Sequence, residues 1–375
     1  MATRPKVVRK IFMIYFSRKG RFRMNPYIKT MKCIVKKTRE PGGLALEEKP
    51  IPVPDDNGVL IKTIKTAICG TDLHIYSWNS WARKTINTPQ IIGHEFVGEV
   101  AAVGKNVENC RVGDLVGGEG HLFCGVCRHC ITGLAHLCPH TKGIGVNTDG
   151  AFAEYFVFPA KNIWLCDATI PLNVLAVYDP LGNAMHTVRS FDVLGEDVLV
   201  TGAGPIGLMS VPILRRIGAR NIVVTDINDR RLEMARELGA TAVVNVTREK
   251  IADVVAKIPS MVEGFDVGLE MSGSASGFND MIDVMANGGN IAILGFLPPE
   301  AAIEWDKMIF KSLTLKGVYG REVFDTWYQM TALLQSGLSD EIAKIITHEF
   351  MYTDFIEAFE LMKSGQSGKI ILNWS

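Results

Sequence analysis

The stretch 196–219, EDVLVTGAGPIGLMSVPILRRIGA, decides the fold of the second half of this chain. In it a short apolar run is followed by Gly202, Gly204 and Gly207 in the pattern G-x-G-x-x-G, and a helical run comes next. Strand, glycine turn and helix in this order predict a dinucleotide site, because the glycines let the backbone approach a pyrophosphate at the helix N-terminus. Outside that context the pattern is weak, since any glycine turn can carry it.

Asp226 ends the next strand pattern, NIVVTD. A carboxylate about 20 residues after the glycines accepts hydrogen bonds from the ribose hydroxyls of the dinucleotide. The same carboxylate repels a 2′-phosphate, so the sequence predicts NAD rather than NADP. Arg231, one helical turn further on, is a candidate to cover the adenine, and the alternative is a solvated charge on the helix.

The rhythm of the chain differs on the two sides of residue 190. Before about residue 160, short β-like runs such as MKCIVKK and HEFVGEVAAVG are separated by Gly, Pro and Asp-Gly turn signals, which predicts a compact barrel-like domain. Beyond residue 190, strands and helices alternate, which predicts a parallel, doubly wound α/β sheet. The last run, KIILNWS, predicts a closing strand that packs back on the first domain, so that domain would be discontinuous.

Four cysteines are packed into the fifteen residues 124–138 in the pattern C-x-x-C-x-x-C-x7-C. Four thiolates this close together predict one structural, tetrahedral Zn²⁺ site. A disulfide framework is the weaker alternative, since no secretion signal precedes it, and the iron–sulfur alternative lacks a second cysteine set. The predicted zinc ligands are Cys124, Cys127, Cys130 and Cys138.

A second metal set is predicted further upstream. Cys69 lies in AICGTDLH, and His94 and Glu95 lie in GHEFVGE. A thiolate, an imidazole and a carboxylate are plausible ligands of a catalytic Zn²⁺ that keeps one position open for a substrate. Taken one at a time, Cys69 is more often a small buried apolar residue and His94 a core histidine. Their occurrence together with the cysteine cluster and the dinucleotide pattern favours the metal site.

Composition and charge exclude several classes of protein. The 375 residues are long enough for two domains, and formal charge is zero. Nine of the 40 Lys/Arg residues lie in residues 1–30, which contain no acid, so 31 basic residues face 40 acidic ones in the remainder. An acidic body argues against nucleic acid as the main partner, no apolar stretch approaches the roughly 20 residues of a membrane span, and the clustered cysteines fit a reducing cytosol.

The basic segment 1–30 is expected to be a disordered extension or the product of an upstream start, with the remaining protein beginning near Met24 or Met31. An organelle transit peptide is the alternative, although the segment is poor in serine and has no clear cleavage site.

The motifs CGTDLH, GHE, the four-cysteine segment and GAGPIG, in this order, resemble the zinc-dependent medium-chain dehydrogenase/reductase family over residues 31–375. The resemblance implies a GroES-like β-barrel catalytic domain in residues 31–178, a Rossmann domain in 179–321 and a C-terminal return in 322–375. It also implies a homotetramer and two zinc ions in each subunit. Within the family, the segments DPLGNAMHT, GFDVGLEMSG and GVYGRE resemble the members that oxidise the 3-hydroxyl of L-threonine with NAD⁺ to 2-amino-3-oxobutanoate.

The resemblance also assigns expected roles to single residues. Thr71 and His74 match a relay that carries the hydroxyl proton through the cofactor ribose to solvent, and the alternative is a turn residue and a surface histidine. Asp179 would position or deprotonate water at the metal, because its side chain is short for direct ligation. The nicotinamide side of the cofactor site would be lined by Ile206, Leu294, Gly295, Phe296, Val318 and Tyr319.

A zwitterionic amino acid needs charge complements in its pocket. Arg321 would clamp the carboxylate or contact cofactor phosphates, and Glu119 or His121 would meet the ammonium group or line the entrance. Structural ion pairing is the alternative for these three residues.

Two other functions remain open from the sequence. One is another zinc-dependent NAD dehydrogenase, acting on an alcohol or on a polyol such as sorbitol or butanediol. The other is a non-catalytic regulator that binds zinc and a nucleotide and uses its basic segment on nucleic acid. The spacing of the cysteine cluster argues against the second, since zinc ribbons place two cysteine pairs about 15–20 residues apart.

Overall fold

The computed structural model describes residues 30–375. The expectations for the basic segment therefore lie outside the described residues, apart from Thr30. Among the described residues, no helix combines the length and the apolar character that crossing a membrane requires.

The first part of the chain is rich in short strands. Its strands are β1 Thr30–Lys36, β2 Leu44–Pro50, β3 Gly58–Ala67, β4 Gln90–Ile91, β5 Glu95–Val103, β6 Leu115–Gly118, β7 His121–Leu122, β8 Lys142–Gly143, β9 Tyr155–Pro159 and β10 Ile163–Leu165. Its α-helices are α1 Gly70–Ser77, α2 Ser80–Thr85, α3 Arg128–Ile131, α4 Leu172–Ala176 and α5 Tyr178–Val188.

Strands and helices then alternate. The elements are β11 Asp197–Thr201, α6 Pro205–Ile217, β12 Asn221–Asp226, α7 Asp229–Glu237, β13 Ala242–Asn245, α8 Ile251–Val255, β14 Phe265–Glu270, α9 Ala275–Val284, β15 Met285–Ile293, α10 Trp305–Phe310 and β16 Thr314–Gly317. The chain continues with α11 Asp325–Leu333, α12 Ser339–Ile345, β17 Ile346–Met351, α13 Phe355–Lys363 and β18 Lys369–Asn373.

The six strands β11 to β16 form one sheet in the order β13-β12-β11-β14-β15-β16, and every neighbouring pair is parallel. This is the 3-2-1-4-5-6 order of the Rossmann fold, and it confirms the doubly wound sheet predicted from the alternating pattern. The central strand β11 is buried along its whole length, as its continuous apolar run requires. Ligands bind such sheets at the carboxyl ends of the strands, where the order reverses between β11 and β14.

The first part forms a seven-stranded sheet in the order β10-β6-β5-β3-β18-β17, with β9 also paired to β3, and a three-stranded sheet β2-β1-β4. The last strand, β18, is antiparallel to β3 and parallel to β17. The C-terminal segment thus completes a sheet whose other strands mostly come from residues 58–165.

Helix α5 joins the two parts. It packs beside α6 in the largest apolar cluster, which includes Tyr178, Leu181 and Met185 of α5 and the fully buried Trp327 of α11. The predicted boundary between residues 178 and 179 falls after the first residue of this continuous helix. Asp179 is therefore held by a helix that is anchored in the shared core.

Candidate active site

The glycine turn after β11 has the geometry of a phosphate cradle. Gly202 has a φ of +89°, a conformation that favours glycine, and a Cβ on Gly207 would lie 2.0 Å from the carbonyl oxygen of Gly202. A Cβ on Gly204 would meet nothing within 4 Å, so the space above this backbone is open. Gly204 caps α6, whose free N–H groups point into that space. These residues fit the pyrophosphate of a dinucleotide.

Asp226 lies at the carboxyl end of β12 and holds the glycine turn. Its Oδ2 accepts a hydrogen bond from the Ala203 N–H at 2.7 Å, and its Oδ1 accepts from the N–H groups of Ile227 and Asn228. The carboxylate is thereby fixed at the edge of the cradle. Arg231 lies in the first turn of α7, the helix that follows β12.

Other residues predicted for the cofactor lie after β15 and β16. Leu294 and Gly295 both donate backbone hydrogen bonds to the Glu270 carbonyl, and Val318 donates to the Ile293 carbonyl at 2.8 Å. Phe296 is 87 % exposed, and Ile206 lies in the first turn of α6. The structure therefore brings these residues to the carboxyl ends of neighbouring parallel strands, where a cofactor would be bound.

Cys69, His94 and Glu95 converge although 25 residues separate the first two. The antiparallel register of β3 and β5 pairs Ala67 with Glu95, so Cys69, just beyond the end of β3, faces the start of β5. One ligand atom from each of the three residues lies within 4.8 Å of the others. Nδ1 of His94 and Oε1 of Glu95 are buried, and neither has a hydrogen-bond partner among residues 30–375.

Asp72 places a buried carboxylate next to the histidine of this cluster. Its Oδ2 accepts a hydrogen bond from the Cys69 N–H at 3.0 Å, and its Oδ1 lies 3.8 Å from Nδ1 of His94. A carboxylate beside Nδ1 leaves Nε2 of the imidazole free to bind a metal, the arrangement found around many zinc sites. Burial by itself lowers the pKa of His94, but Cys69 and Asp72 raise that pKa well above its ordinary value. The cluster is thus electrostatically suited to a cation.

Lys369, the first residue of the C-terminal strand β18, neutralises part of the negative charge of this cluster. Its Nζ lies 2.5 Å from Oε2 of Glu95 and donates to the Ile68 carbonyl at 2.8 Å. Burial opposes the charge on Lys369, but Glu95, Cys69 and Asp72 together raise the pKa of Lys369 above its ordinary value. One oxygen of Glu95 is therefore held by an ammonium group and the other is left for a metal. A zinc ion fits this donor set of one sulfur, one nitrogen and one oxygen.

The two residues expected in a proton relay lie beside the cluster. Thr71 is half-buried in the first turn of α1, and His74 is exposed one turn further on. Desolvation lowers the pKa of His74, which keeps the imidazole neutral and able to accept a proton.

Glu119 and Arg321 form a buried ion pair. The guanidinium of Arg321 donates to both carboxylate oxygens of Glu119, with Nε at 2.8 Å from Oε2, and its Nη1 lies 2.6 Å from Oδ2 of Asp179. The indole N–H of Trp327 also donates to Glu119, at 3.1 Å. Because Arg321 is only 2 % exposed and already pairs with two carboxylates, the geometry favours structural ion pairing for Arg321 and Glu119. In the same region His121 stacks on Tyr319, with ring centroids 4.8 Å apart.

Burial raises the pKa of Glu119, but the Arg321 charge outweighs burial and holds that pKa below its ordinary value. Arg321 in turn holds Asp179, so the carboxylate that faces the Cys69 cluster is fixed through a network spanning residues 119 to 327. Asp179 is not among the described residues whose ligand atoms converge with Cys69.

The four clustered cysteines converge in a separate lobe between β7 and β8. The Cys127 and Cys130 sulfurs are 3.5 Å apart and those of Cys124 and Cys130 are 3.9 Å apart. Four sulfurs around one tetrahedral zinc at about 2.3 Å would be about 3.8 Å from each other. Backbone N–H groups of Val126 and Cys127 lower the pKa of the Cys124 thiol to about 6, which favours the thiolate that binds metal. A zinc ion fits this cluster as well.

Residues 55–168 match the alcohol dehydrogenase GroES-like domain, and residues 205–336 match the zinc-binding dehydrogenase domain. The L-threonine 3-dehydrogenase of Aeromonas salmonicida (strain A449) is 55% identical over 344 residues, which cover 92% of this chain and 99% of that protein. The chain belongs to the zinc-dependent medium-chain dehydrogenase/reductase family.

Solved members of the family share the fold. A short chain alcohol dehydrogenase of Escherichia coli CFT073, complexed with NADH, is 28% identical with a TM-score of 0.83, and the match covers 92% of this chain and all of that one. A zinc-binding dehydrogenase of Sinorhizobium meliloti 1021, bound to NADP, is 26% identical with the same TM-score over 92% and 99% of the two chains. The family is one of oxidoreductases that use zinc and a nicotinamide cofactor, so the predicted cofactor class is confirmed, as are the GroES-like and Rossmann parts.

Three residues of this family member's site were not foreseen from the sequence. Asp72 lies inside the quoted CGTDLH motif, and its position three residues after Cys69 is a helix-capping signal that could have drawn attention to it. Lys369 and Trp327 carry no such signal, because each contacts its carboxylate across more than 200 residues of sequence.

Proposed function

We propose that this chain oxidises the 3-hydroxyl of L-threonine with NAD⁺, which gives 2-amino-3-oxobutanoate and NADH. The observation that carries the proposal is the convergence of Cys69, His94 and Glu95, in a chain that also has a dinucleotide cradle and whose relative at 55% identity over 92% of its length is named L-threonine 3-dehydrogenase. Further relatives with that name are 52–54% identical over the same share of the chain.

Each subunit would hold two zinc ions. Cys69, His94 and Glu95 would hold the first, and a zinc there supplies Lewis acidity that lowers the pKa of a nearby hydroxyl group. Cys124, Cys127, Cys130 and Cys138 would hold the second, which stabilises the lobe. Asp72 and Lys369 fix the orientation of the first set of ligands, and Asp179 would position water beside them.

The proton of the hydroxyl must leave a site that the cofactor closes. Thr71, near Cys69, would accept and pass on this proton through the cofactor ribose, and His74 would release it to solvent. The exposed position of His74 and its lowered pKa support this route.

The cofactor would be NAD rather than NADP. Asp226 presents its carboxylate at the edge of the cradle, where a 2′-phosphate would meet its charge. Gly202, Gly204 and Gly207 would accommodate the pyrophosphate, Arg231 would lie beside the adenine, and the nicotinamide would be lined by Ile206, Leu294, Gly295, Phe296, Val318 and Tyr319.

The substrate would enter on the side of His121 and Tyr319, whose stacked rings lie beside the Glu119 network. Glu119 and Arg321 would act indirectly, by holding Asp179 in position, because their charges are already paired with each other. We also propose a homotetramer that works in the cytoplasm. The exposed apolar side chains of Trp305, Ile309 and Phe310 on α10 support association, and the cysteine lobe, whose thiols must stay reduced to bind zinc, supports the compartment.

The test is the initial rate of NADH formation from L-threonine, L-serine, sorbitol, 2,3-butanediol and ethanol at equal concentrations. We expect L-threonine to have the highest kcat/KM and NADP⁺ to be a poor substitute for NAD⁺. In a matched variant, Asp226→Ser, the ratio of kcat/KM with NAD⁺ to kcat/KM with NADP⁺ should fall. The ranking of the five substrates by kcat/KM should stay the same. A higher kcat/KM for sorbitol or butanediol than for threonine would instead establish a polyol dehydrogenase.

A further inference from the structure

A third group of metal-ligand side chains converges outside the two sites described above. His136, His186 and Glu322 each offer one ligand atom, and these atoms lie within 4.8 Å of one another. His136 lies in the 3-10 turn Ala135–Leu137 of the cysteine lobe, His186 in α5, and Glu322 in the loop between β16 and α11. The proposed reaction uses none of the three.

His186 is held in the orientation and tautomer of a metal ligand. Its Nδ1 lies 2.9 Å from the Gly320 carbonyl, and a carbonyl only accepts, so Nδ1 carries the proton. Nε2 therefore bears the free lone pair, and it lies 3.7 Å from Oε1 of Glu322. Imidazoles that bind metals are commonly fixed in this way, by a backbone carbonyl on the other ring nitrogen.

His136 brings a second nitrogen to the same place. Its Nδ1 is buried and has no hydrogen-bond partner among residues 30–375. The two imidazole rings meet edge to face, with centroids 5.7 Å apart and planes at 81°. Buried polar atoms are nearly always paired, so an unpaired ring nitrogen beside a second imidazole and a carboxylate calls for a bound partner.

The charges around the group bear on its affinity. Burial lowers the pKa of His186, which keeps this ring neutral and able to donate a lone pair. Glu322 and, further off, Glu119 are the acids that face the two imidazoles, while Lys316 and Arg321 oppose a cation. Arg189 lies 3.9 Å from the other oxygen of Glu322, and Arg321 is already paired with Glu119 and Asp179.

We propose that His136, His186 and Glu322 bind a third divalent first-row transition-metal ion, of which Zn²⁺ is the probe of choice. Two imidazoles and one carboxylate are a known ligand set for such ions. The Glu322 side chain is 32 % exposed, so water can complete the coordination. Because Lys316 and Arg189 are close, we expect this ion to exchange more readily than one bound by four cysteines.

Such an ion would link three segments of the chain through one centre, in addition to the hydrogen bond and ion pairs that already join α5 to residues 320–325. It would connect the cysteine lobe to α5 and to the loop that carries Arg321. Asp179 and His186 are seven residues apart on α5, about two helical turns, and therefore lie on the same face. The bound ion would thus stabilise the position of Asp179 relative to the lobe.

The test is the zinc content of the full-length protein after equilibrium dialysis against buffered free Zn²⁺, measured by plasma mass spectrometry. We expect His136→Gln to bind one equivalent fewer per chain than the wild type. The matched control is His140→Gln, because His136 and His140 lie two residues before and two residues after Cys138 but only His136 belongs to the converging group. This comparison of His136→Gln with His140→Gln measures a difference of one zinc equivalent per chain. Its result does not depend on whether the two proposed zinc sites or the proposed reaction are right.

A second pair of variants keeps the test decisive if His136→Gln fails to fold. Glu322→Gln should raise the zinc concentration needed to fill the last equivalent by at least about tenfold. Asp325→Asn should leave it unchanged, although Asp325, like Glu322, interacts with Arg189. Circular dichroism would verify folding in each case. Equal zinc content and equal affinity in the wild type and in the folded Glu322→Gln variant would overturn the proposal.

Discussion

The two proposed zinc sites differ both in their ligand atoms, which are four sulfurs in one and a sulfur, a nitrogen and an oxygen in the other, and in their surroundings. In the four-cysteine lobe, backbone N–H groups point at the sulfurs and no carboxylate belongs to the converging set. Around Cys69, His94 and Glu95, buried charges of both signs are arranged in a second layer that includes Asp72, Asp179 and Lys369. The difference teaches that the charges around the ligands, as well as the ligands themselves, distinguish the proposed reactive site from the proposed structural one.

In the proposed function, the charged second layer is what would adjust the Cys69 cluster for chemistry. The Cys69 cluster offers an incomplete set of ligands. The surrounding charges would orient these ligands and provide a fixed electrostatic potential at a site shielded from water. The lobe lacks these features, and its four like ligands close the coordination sphere. We therefore expect changes in the first cluster to affect turnover and changes in the lobe to affect stability.

The largest expected effect is on catalysis. Cys69→Ser should lower kcat/KM for L-threonine by about a thousandfold, because it removes Lewis acidity that contributes several kcal/mol to the transition state. NADH binding, measured by fluorescence titration, should stay near the wild-type value. Turnover above a tenth of the wild-type rate would contradict the assignment of this cluster as the reactive one.

Cys127→Ser tests the other proposed zinc site, the four-cysteine lobe. We expect the midpoint of thermal unfolding to fall by at least about 5 °C, since zinc binding in such sites contributes directly to folding. At a temperature below the transition, kcat per folded molecule should remain within a few-fold of the wild type. A variant that melts normally but is inactive would show that the lobe takes part in the reaction.

Asp72→Asn should have an intermediate effect. It keeps an oxygen that can accept from the Cys69 N–H but removes the charge beside His94, so metal affinity at this cluster should fall about 10–100-fold. Competition with a chelator, followed by loss of activity, measures this affinity. Asp114→Asn is the control, because Asp114 also accepts from a backbone N–H three residues earlier, at 2.9 Å, in a loop away from both clusters. If both variants lose metal equally, Asp72 has no special role.

The smallest expected effect concerns pH. Arg321 holds the pKa of Glu119 in the folded state below the ordinary value of 4.5, so this pair stabilises the fold fully above that pH. The contribution is lost as pH falls through the lowered pKa, and this part of the acid dependence should be absent in Glu119→Gln. Urea unfolding at pH values from 6 down to 3 measures it. Glu349→Gln removes a more exposed ion pair with Lys65, at 2.9 Å. This variant should have a smaller effect on the pH dependence of the free energy of unfolding.

Much of the fold and part of the site could be predicted because the relevant signals are local. The glycine turn and Asp226 are set by strand and helix periodicity. The four cysteines lie within fifteen residues, so chain connectivity alone keeps them near one another. The expected clamp between Arg321 and a substrate carboxylate shows where this reasoning reaches its limit. The GVYGRE motif indicated that the positive charge of Arg321 lies in the pocket. The pairing of this charge with Glu119 and Asp179 was visible only in the folded chain.

The sequence by itself determined the family and the doubly wound sheet and predicted two sets of metal ligands, because spacing and residue type are sufficient for those inferences. Only the tertiary structure decided which charges surround the ligands. Lys369 reaches Glu95 because β18 pairs with β3, and Arg321 meets Glu119 across 202 residues. Such contacts depend on strand register and on the packing of α5 against both parts, and no local pattern in the chain encodes them. The same packing brings His136, His186 and Glu322 together from three separate segments.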